Sequence, residues 1–207
     1  MAKITNKPGA PLSGKLNDRV YVKYFDTMYV RKLPTIRKDS RTQGQLLNQQ
    51  RFSAINLFYR QFKNTIIPRI WKDAAVNNTG YRLFLNAISP AFARDGAISD
   101  YRLLKLTRGN LPLPLELMAQ REHVEGSTIR VSWKQDLHFG GERLRDELKV
   151  IAQSNGVFSE ITGTGLIRRS CGGSFELPVG QEAASHIYLF FVSTDIRDYS
   201  DSCCFAV

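Results

Sequence analysis

The sequence predicts an α+β protein in which an N-terminal β-hairpin and short helices are followed by a C-terminal antiparallel β-sandwich of the immunoglobulin or fibronectin-III type. Three observations indicate this fold class. Apolar residues recur at helical spacing across residues 41–63, and two aromatic and β-branched runs precede them. After residue 100, short β-rich runs alternate with turn residues. We therefore expect a basic hairpin plus helical region over residues 1–100 and a β-sandwich domain over residues 101–207.

The N-terminal elements follow from strand and turn propensities. Residues 1–19 are rich in Gly, Pro, Asn and Lys, which is typical of an extended arm or a short edge strand. Residues 20–25 and 28–33 are β-prone runs, and the two residues between them, Asp26 and Thr27, predict a hairpin turn. Pro34 is expected to end the second strand because it lacks the N–H that a strand ladder requires.

Capping and proline signals predict the helices. Ser40 and Gln43 have the spacing of a capping box, in which each side chain satisfies a backbone donor at the start of a helix. Pro68 favours the first turn of a second helix, and Thr79 can cap a third. The expected helices are residues 41–63, 68–75 and 81–88, followed by a turn over residues 89–94.

The sequence pattern predicts a series of short strands in the C-terminal half. Apolar and polar residues alternate over residues 128–133, as a strand with one buried face requires, whereas residues 187–192 are apolar on both faces and predict a central strand. Residues 162–165 resemble a phosphate-binding loop only superficially and are expected to form a hairpin turn. The expected strands are residues 103–107, 115–120, 128–133, 147–153, 165–169, 175–179 and 186–192.

The charge of the chain is unevenly distributed. Residues 1–70 hold 14 lysines and arginines against three aspartates, a net charge of +11, whereas residues 71–207 have a net charge of −1. Such an asymmetry favours an anionic partner, such as nucleic acid, an acidic protein or a membrane surface. A solvated face that keeps the protein in solution is the alternative interpretation.

The basic region is the candidate functional site. Its cations are interleaved with Tyr21, Tyr24, Phe25 and Tyr29, and such side chains can neutralise phosphates and stack on bases. Alternatively, the aromatic residues hold the strands against the following helix, or the basic arm docks onto an acidic groove of a neighbouring subunit. The candidate residues for binding an anionic partner are Lys15, Arg19, Lys23, Arg31, Lys32, Arg37, Lys38, Arg41, Arg60 and Lys63.

Sequence motifs for catalysis are missing. The chain has neither a phosphate-binding GxxxxGK[ST] loop nor a GxSxG nucleophile elbow, and its three histidines lack a partner at metal-ligand spacing. We therefore expect no enzyme activity, no catalytic residue, no metal site, no cofactor and no small-molecule substrate. An enzyme would need a pocket assembled from distant residues such as Asp136, His138 and Glu142.

The cysteines and the chain start indicate the compartment. Cys171, Cys203 and Cys204 lack the spacing of a disulfide framework, so three reduced thiols are expected. Without a signal-peptide pattern or an apolar run near the ~20 residues that span a bilayer, we expect cytoplasmic synthesis, with a virion or other particle as a possible destination, and no membrane insertion. Residues 204–207 formally fit a prenylation box, with a buried final strand as the alternative.

Short sequence pieces typical of one protein family occur in consistent order over nearly the whole chain. They are Ser13-Gly14-Lys15-Leu16-Asn17-Asp18-Arg19-Val20, Tyr29-Val30-Arg31, Arg41-Thr42-Gln43, Gln50-Arg51-Phe52, Asp100-Tyr101, Leu104, Gly109-Asn110-Leu111-Pro112, Trp133, Asp146-Glu147-Leu148, Val150, residues 187–193, Ser200 and Ser202. In these pieces the chain resembles a domain-of-unknown-function family found mainly in Bacteroidota and associated with prophage-like or mobile regions. The resemblance implies a basic N-terminal hairpin, a helical middle and a C-terminal sandwich, and it implies no established activity or cofactor.

These observations together predict a non-enzymatic structural or interaction protein. It would be a component of a phage-like particle or another macromolecular assembly, with protein subunits as partners and the basic N-terminal arm as the docking element. The alternative is a nucleic-acid-binding module that uses residues 15–63.

Overall fold

The chain divides into two compact units, the N-terminal unit (Met1–Thr42) and the main unit (Gln43–Val207). The structure is a computed structural model, and it describes residues 2–4, 14–25, 27–34, 41–75, 78–123, 126–134 and 141–207.

The N-terminal unit contains a four-stranded antiparallel sheet, called the N-terminal sheet, in the order β1-β4-β3-β2. Its strands are β1 (Ala2–Ile4), β2 (Gly14–Leu16), β3 (Arg19–Tyr24) and β4 (Thr27–Lys32). Tyr24 pairs with Thr27, so the hairpin turn begins at Phe25, one residue earlier than expected. Phe25 has a φ of 51°, the left-handed conformation that tight hairpin turns require, which the sequence pattern did not indicate for a phenylalanine.

The main unit begins with three helices, at positions close to those expected from the sequence. Pro68 lies in the first turn of the second helix, and the Thr79 hydroxyl accepts a hydrogen bond from the Arg82 N–H at 3.3 Å. Ser40 of the expected capping box lies outside the described residues. The helices are α1 (Gln43–Gln61), α2 (Ile67–Asp73) and α3 (Gly80–Ile88), followed by 3-10 turns at Ser89–Ala91 and Tyr101–Leu103.

Two antiparallel sheets make up the rest of the main unit. One has three strands in the order β10-β6-β5, and the other has five, in which β7 pairs with β11 on one side and with β8 and β9 on the other, while β12 pairs with β11. The strands are β5 (Leu115–Arg121), β6 (Thr128–Lys134), β7 (Glu147–Ser154), β8 (Val157–Phe158), β9 (Thr162–Ile167), β10 (Gly172–Glu176), β11 (His186–Val192) and β12 (Cys203–Ala206), with 3-10 turns at Gly141–Arg145 and Arg168–Ser170. The mixture of helices and antiparallel sheets confirms the α+β class.

Several expected elements differ from the structure. Residues 104–107 form no strand, because the Leu106 N–H of this largely buried segment donates to the Ser202 hydroxyl and the Thr107 hydroxyl donates to the Ser200 carbonyl. Residues 162–165 belong to β9 and are not a hairpin turn. The strand expected over residues 175–179 begins earlier, at Gly172, where a Cβ would lie 2.6 Å from the Val131 carbonyl oxygen and only glycine allows β10 to approach β6.

The five-stranded sheet is covered on both faces. On β11, Ile187, Leu189 and Phe191 belong to the apolar core shared with the three-stranded sheet, whereas Tyr188 and Phe190 belong to the core shared with the helices. Helices and sheets therefore form one unit. The sequence placed a boundary between residues 100 and 101, but the two regions share this core and the compact units divide after Thr42.

A buried ion pair joins Arg168, in the turn between β9 and β10, to Asp146, the residue before β7. The Arg168 Nε lies 3.4 Å from the Asp146 Oδ2, and their side chains are 4% and 3% exposed. The guanidinium also donates to the Pro112 carbonyl at 2.9 Å and lies 4.3 Å above the centre of the Phe191 ring, while the Trp133 indole donates to the Arg168 carbonyl at 3.0 Å. Burial raises the pKa of Asp146, and the nearby Arg168 charge acts in the opposite direction.

We expect Arg168→Met to lower the free energy of unfolding by about 3–5 kcal/mol at pH 7.5, because it leaves the Asp146 carboxylate buried without its cation. A group whose pKa is raised by folding binds a proton more readily in the folded state, so the loss should shrink as the pH falls towards 5. Urea denaturation at both pH values measures the effect.

The exposed neighbour Arg169 supplies the matched control, since Arg169→Met changes the same charge without uncovering a buried carboxylate. The double variant Asp146→Asn/Arg168→Met should lose less stability than Arg168→Met alone. If the double variant and Arg168→Met lost the same amount of stability, the unpaired Asp146 carboxylate would not be the cause of the loss.

Candidate anion-binding surface

The N-terminal sheet carries a dense set of exposed cations. The N-terminal unit contains ten lysines and arginines against three aspartates, a net charge of +7, whereas the main unit has a net charge of +3. Lys15 lies on β2, Arg19 and Lys23 lie on β3, and Arg31 and Lys32 lie on β4, and all five are exposed. Five of the ten candidate residues are thus brought together on three adjacent strands.

The strand register divides these cations between the two faces of the sheet. Directly paired residues of neighbouring strands share a face, and residues two apart on one strand do so as well. Lys15 and Arg31 therefore lie on one face, called the Lys15 face, and Arg19, Lys23 and Lys32 on the other, called the Arg19 face. The sequence predicted the cluster but not this division.

Two cations on the Arg19 face are directly opposed. Arg19 pairs with Lys32 across β3 and β4, and like charges at such a position destabilise a sheet. Asp18 is 3.8 Å from the Arg19 guanidinium, but both side chains are more than 60% exposed, so water screens this ion pair strongly. An anionic group bound on this face would relieve the repulsion between Arg19 and Lys32.

Aromatic and apolar side chains are exposed beside the cations. Tyr24 lies on the Lys15 face and is 59% exposed, and Phe25 in the adjacent turn is 70% exposed. Their rings meet edge to face with 4.8 Å between centroids. Leu16 and Val22 are exposed as well, at 53% and 39%. These last two residues were not predicted as part of the surface, although they stand directly beside Lys15 and Lys23 in the sequence.

The N-terminal sheet has little core of its own. None of the described residues 14–25 and 27–34 is buried; each is half-buried or exposed. A sheet normally stabilises itself by burying at least one face against another layer. The described part of this sheet thus presents apolar and cationic groups that a binding partner could cover.

The other five candidate residues lie outside these three strands or outside the described residues. Arg37 and Lys38 lie outside the described residues, and Arg41 is exposed just before α1. Arg60 and Lys63 are exposed at the C-terminal end of α1 and directly after it, in the main unit.

A cluster of titratable groups in the main unit was not anticipated from the sequence. The Tyr101 ring stacks on His186 with 4.9 Å between centroids, and the Tyr188 hydroxyl donates to the Tyr101 carbonyl at 2.9 Å. Burial lowers the pKa of His186 and raises the pKa of Cys204 to about 11. At neutral pH this thiol is therefore protonated and is a poor nucleophile.

The described part of the chain has neither a cluster of metal ligands nor a helix that could span a membrane. There, no group of three or more His, Cys, Asp or Glu could hold a metal ion. Asp136 and His138, named above as parts of a conceivable pocket, lie outside the described residues, and Glu142 is exposed. None of the helices in the described ranges combines the length and hydrophobicity needed to cross a bilayer.

Comparison with known proteins found no similarity. The chain matches no protein-family model, no curated protein and no solved structure. The resemblance to the Bacteroidota family therefore remains an expectation from short sequence matches.

We expect Phe25→Asn to stabilise the N-terminal sheet by about 0.5–1 kcal/mol, because asparagine adopts the left-handed conformation more readily than phenylalanine. The chain provides a precedent in Asn17, which has a φ of 53° in the turn between β2 and β3. Slower hydrogen exchange of the β3 and β4 amides would show the effect. Faster exchange in the variant would mean that the exposed Phe25 ring holds the turn in place.

Proposed function

We propose that this chain is a non-enzymatic interaction protein that docks onto an acidic groove of a neighbouring subunit through its N-terminal sheet. The neighbouring subunit would belong to a phage-like particle or another macromolecular assembly. The observation that carries the proposal is a sheet whose cations occupy both faces, while none of its described residues from 14 to 34 is buried. Such a sheet gains apolar burial and charge neutralisation together when a partner encloses it.

The division of charge favours a groove over a single strand of nucleic acid. A groove that encloses the sheet can contact the Lys15 face and the Arg19 face at once, whereas one nucleic-acid strand follows one face. The exposed Leu16 and Val22 side chains support the same interpretation, because apolar residues of a protein partner can bury them. Carboxylates in the groove would separate the opposed Arg19 and Lys32.

The main unit serves as the body of this interaction protein. We infer that its two facing sheets are a variant of the immunoglobulin or fibronectin type, which the apolar core between β6, β10, β7 and β11 supports. Three strands face five in this unit, and helices cover the outer face of the larger sheet. Because the main unit is stabilised by its own apolar cores, it does not need the surface of the N-terminal unit, which can bind a partner.

Charge reversal on the full-length protein tests the docking. We expect Lys15→Glu/Arg31→Glu and Arg19→Glu/Lys32→Glu each to abolish recovery of a partner from the native source, because both faces are enclosed. Partners are captured by lysine cross-linking and identified by mass spectrometry. Support requires cross-links from Lys15, Lys23 or Lys32 to acidic segments of the recovered protein.

A matched control separates docking from a change of overall charge. Lys105 and Arg108 are exposed in the main unit, and Lys105→Glu/Arg108→Glu changes the net charge by the same amount. This variant should retain the partner. A monodisperse monomer with no cross-linked partner, or equal losses in all three double variants, would refute the proposal.

Nucleic-acid binding is the second candidate function, and the Lys15 face favours it. There, exposed Tyr24 accompanies Lys15 and Arg31, so that one strand could find phosphate-neutralising cations and a stacking surface together.

For this second function we expect Lys15→Glu/Arg31→Glu to weaken binding of an oligothymidylate, whereas Arg19→Glu/Lys32→Glu should have a smaller effect. Losing two phosphate contacts should also reduce the slope of log affinity against log salt by about 1.4. Fluorescence anisotropy over a salt series measures both quantities. Affinity that does not change with salt would exclude the nucleic-acid function.

A further inference from the structure

A cavity of about 360 Å³ opens on the helix-covered side of the five-stranded sheet. Phe190 and Val192 of β11 form its buried floor, and Ile66, the residue before α2, lines one side. The helices cover Tyr188 and Phe190, but the end of the sheet beyond them carries charged residues of β7 in place of apolar ones. The cavity lies where this helical cover ends.

The pairing of β7 with β9 shapes the polar wall of the cavity. The register is irregular between Glu147 and Lys149, both of which lie on the helix-facing side of β7. Their side chains form an ion pair at 2.7 Å, with Lys149 25% exposed. A Cβ on Gly163 would lie 2.6 Å from the Glu147 Oε1, so a larger residue there would displace the Glu147 carboxylate from its present position.

A strained residue forms part of the cavity rim. Ile196 lines the cavity and has a φ of 58°, a conformation that β-branched residues rarely adopt. Hydrogen bonds hold the loop in this form: the Ile196 N–H donates to the Ser193 carbonyl at 2.9 Å, and the Asp198 N–H donates to the Ser193 hydroxyl at 2.9 Å. The Ile196 side chain is nevertheless 56% exposed. Strain of this kind, maintained by surrounding bonds, is typical of ligand-binding loops.

The charges that line the cavity favour an anion. Arg145 and Lys149 are two cations against one carboxylate, that of Glu147, and the ion pair between Lys149 and Glu147 leaves the Arg145 charge without a counter-charge in the lining. Two ion pairs lie next to the lining residues: Arg69 is 3.8 Å from Asp73, and Arg197 is 3.7 Å from Asp195. An arginine beside a lysine can hold a carboxylate through charge-assisted hydrogen bonds.

We propose that this cavity binds a small amphipathic carboxylate, whose apolar part lies on Phe190 and Val192 and whose carboxylate is held by Arg145 and Lys149. The volume lies at the lower end of the range of small-molecule sites, and an apolar floor with a few polar groups at one wall is their usual composition. Ile196 covers the apolar part of the ligand from the rim. This site lies within the main unit and is independent of the docking function proposed for the N-terminal sheet.

Binding of octanoate to the full-length protein tests the site, with octylammonium and 1-octanol as probes of the same length and different charge. We expect saturable 1:1 binding of octanoate, weaker binding of octanol and no binding of octylammonium. Calorimetry measures the affinities, and amide NMR shifts locate the bound ligand. The shifts should be confined to residues 145–149 and 190–199.

Two variants and a control locate the ligand. Arg145→Gln should weaken octanoate binding about tenfold, since one charge-assisted hydrogen bond is lost, and should leave octanol binding unchanged. Arg143→Gln, the same change at an exposed neighbour on the same 3-10 turn, should have no effect. Thr194→Trp, at an exposed lining position, should fill the entrance and abolish binding of both.

Circular dichroism establishes that each variant is folded before its affinity is compared. The proposal is overturned if octanoate binding does not saturate, if octylammonium binds as tightly as octanoate, or if Thr194→Trp and Arg145→Gln bind octanoate like the unmodified chain.

Discussion

The main unit depends on burial of the five-stranded sheet from both sides. Along β11, alternate side chains enter two different cores, one shared with the three-stranded sheet and one shared with the helices, and residues 187–191 are fully buried. Each apolar side chain so covered contributes about 1.5–3 kcal/mol relative to an exposed one. Neither the helices nor the three-stranded sheet could cover its apolar face without this central layer, so the three layers form one cooperative unit.

The same central layer determines where polar groups can be accommodated. Arg168 and Asp146 are buried because each is the partner of the other and the guanidinium also finds the Pro112 carbonyl and the Phe191 ring. At the end of the sheet that the helices do not cover, Lys149 and Glu147 form a half-exposed ion pair beside a cavity. A charged residue on this layer is therefore either fully paired or placed where water and a ligand can reach it.

In the N-terminal sheet, by contrast, the described charged and apolar side chains are not buried. Its register separates Lys15 from Arg19 onto different faces, and in the described residues 14–34 neither face is buried. Apolar Leu16 and Val22 are exposed among the cations, and Phe25 maintains a left-handed turn with its ring in solvent. These features cost stability to an isolated sheet, and a partner that covered the apolar side chains and brought negative charge would make them favourable.

The sequence by itself determined what depends on local chemistry. This includes the helical spacing of apolar residues in α1, the start of α2 near Pro68 and of α3 after Thr79, and the alternation of apolar and polar residues in β6. It also includes the apolar character of both faces of β11 and the excess of basic residues in the N-terminal unit. Only the tertiary structure decided what depends on partners distant in the chain. Residues 104–107 bond to Ser200 and Ser202 in place of a strand, Gly172 pairs closely with β6, and the cations of β2, β3 and β4 divide between two faces. The cavity could not be predicted for the same reason, because its walls come from β7, β9, β11 and the loop around Ile196. Propensity and periodicity act over a few residues, whereas register and burial are set by whichever remote segment packs against them.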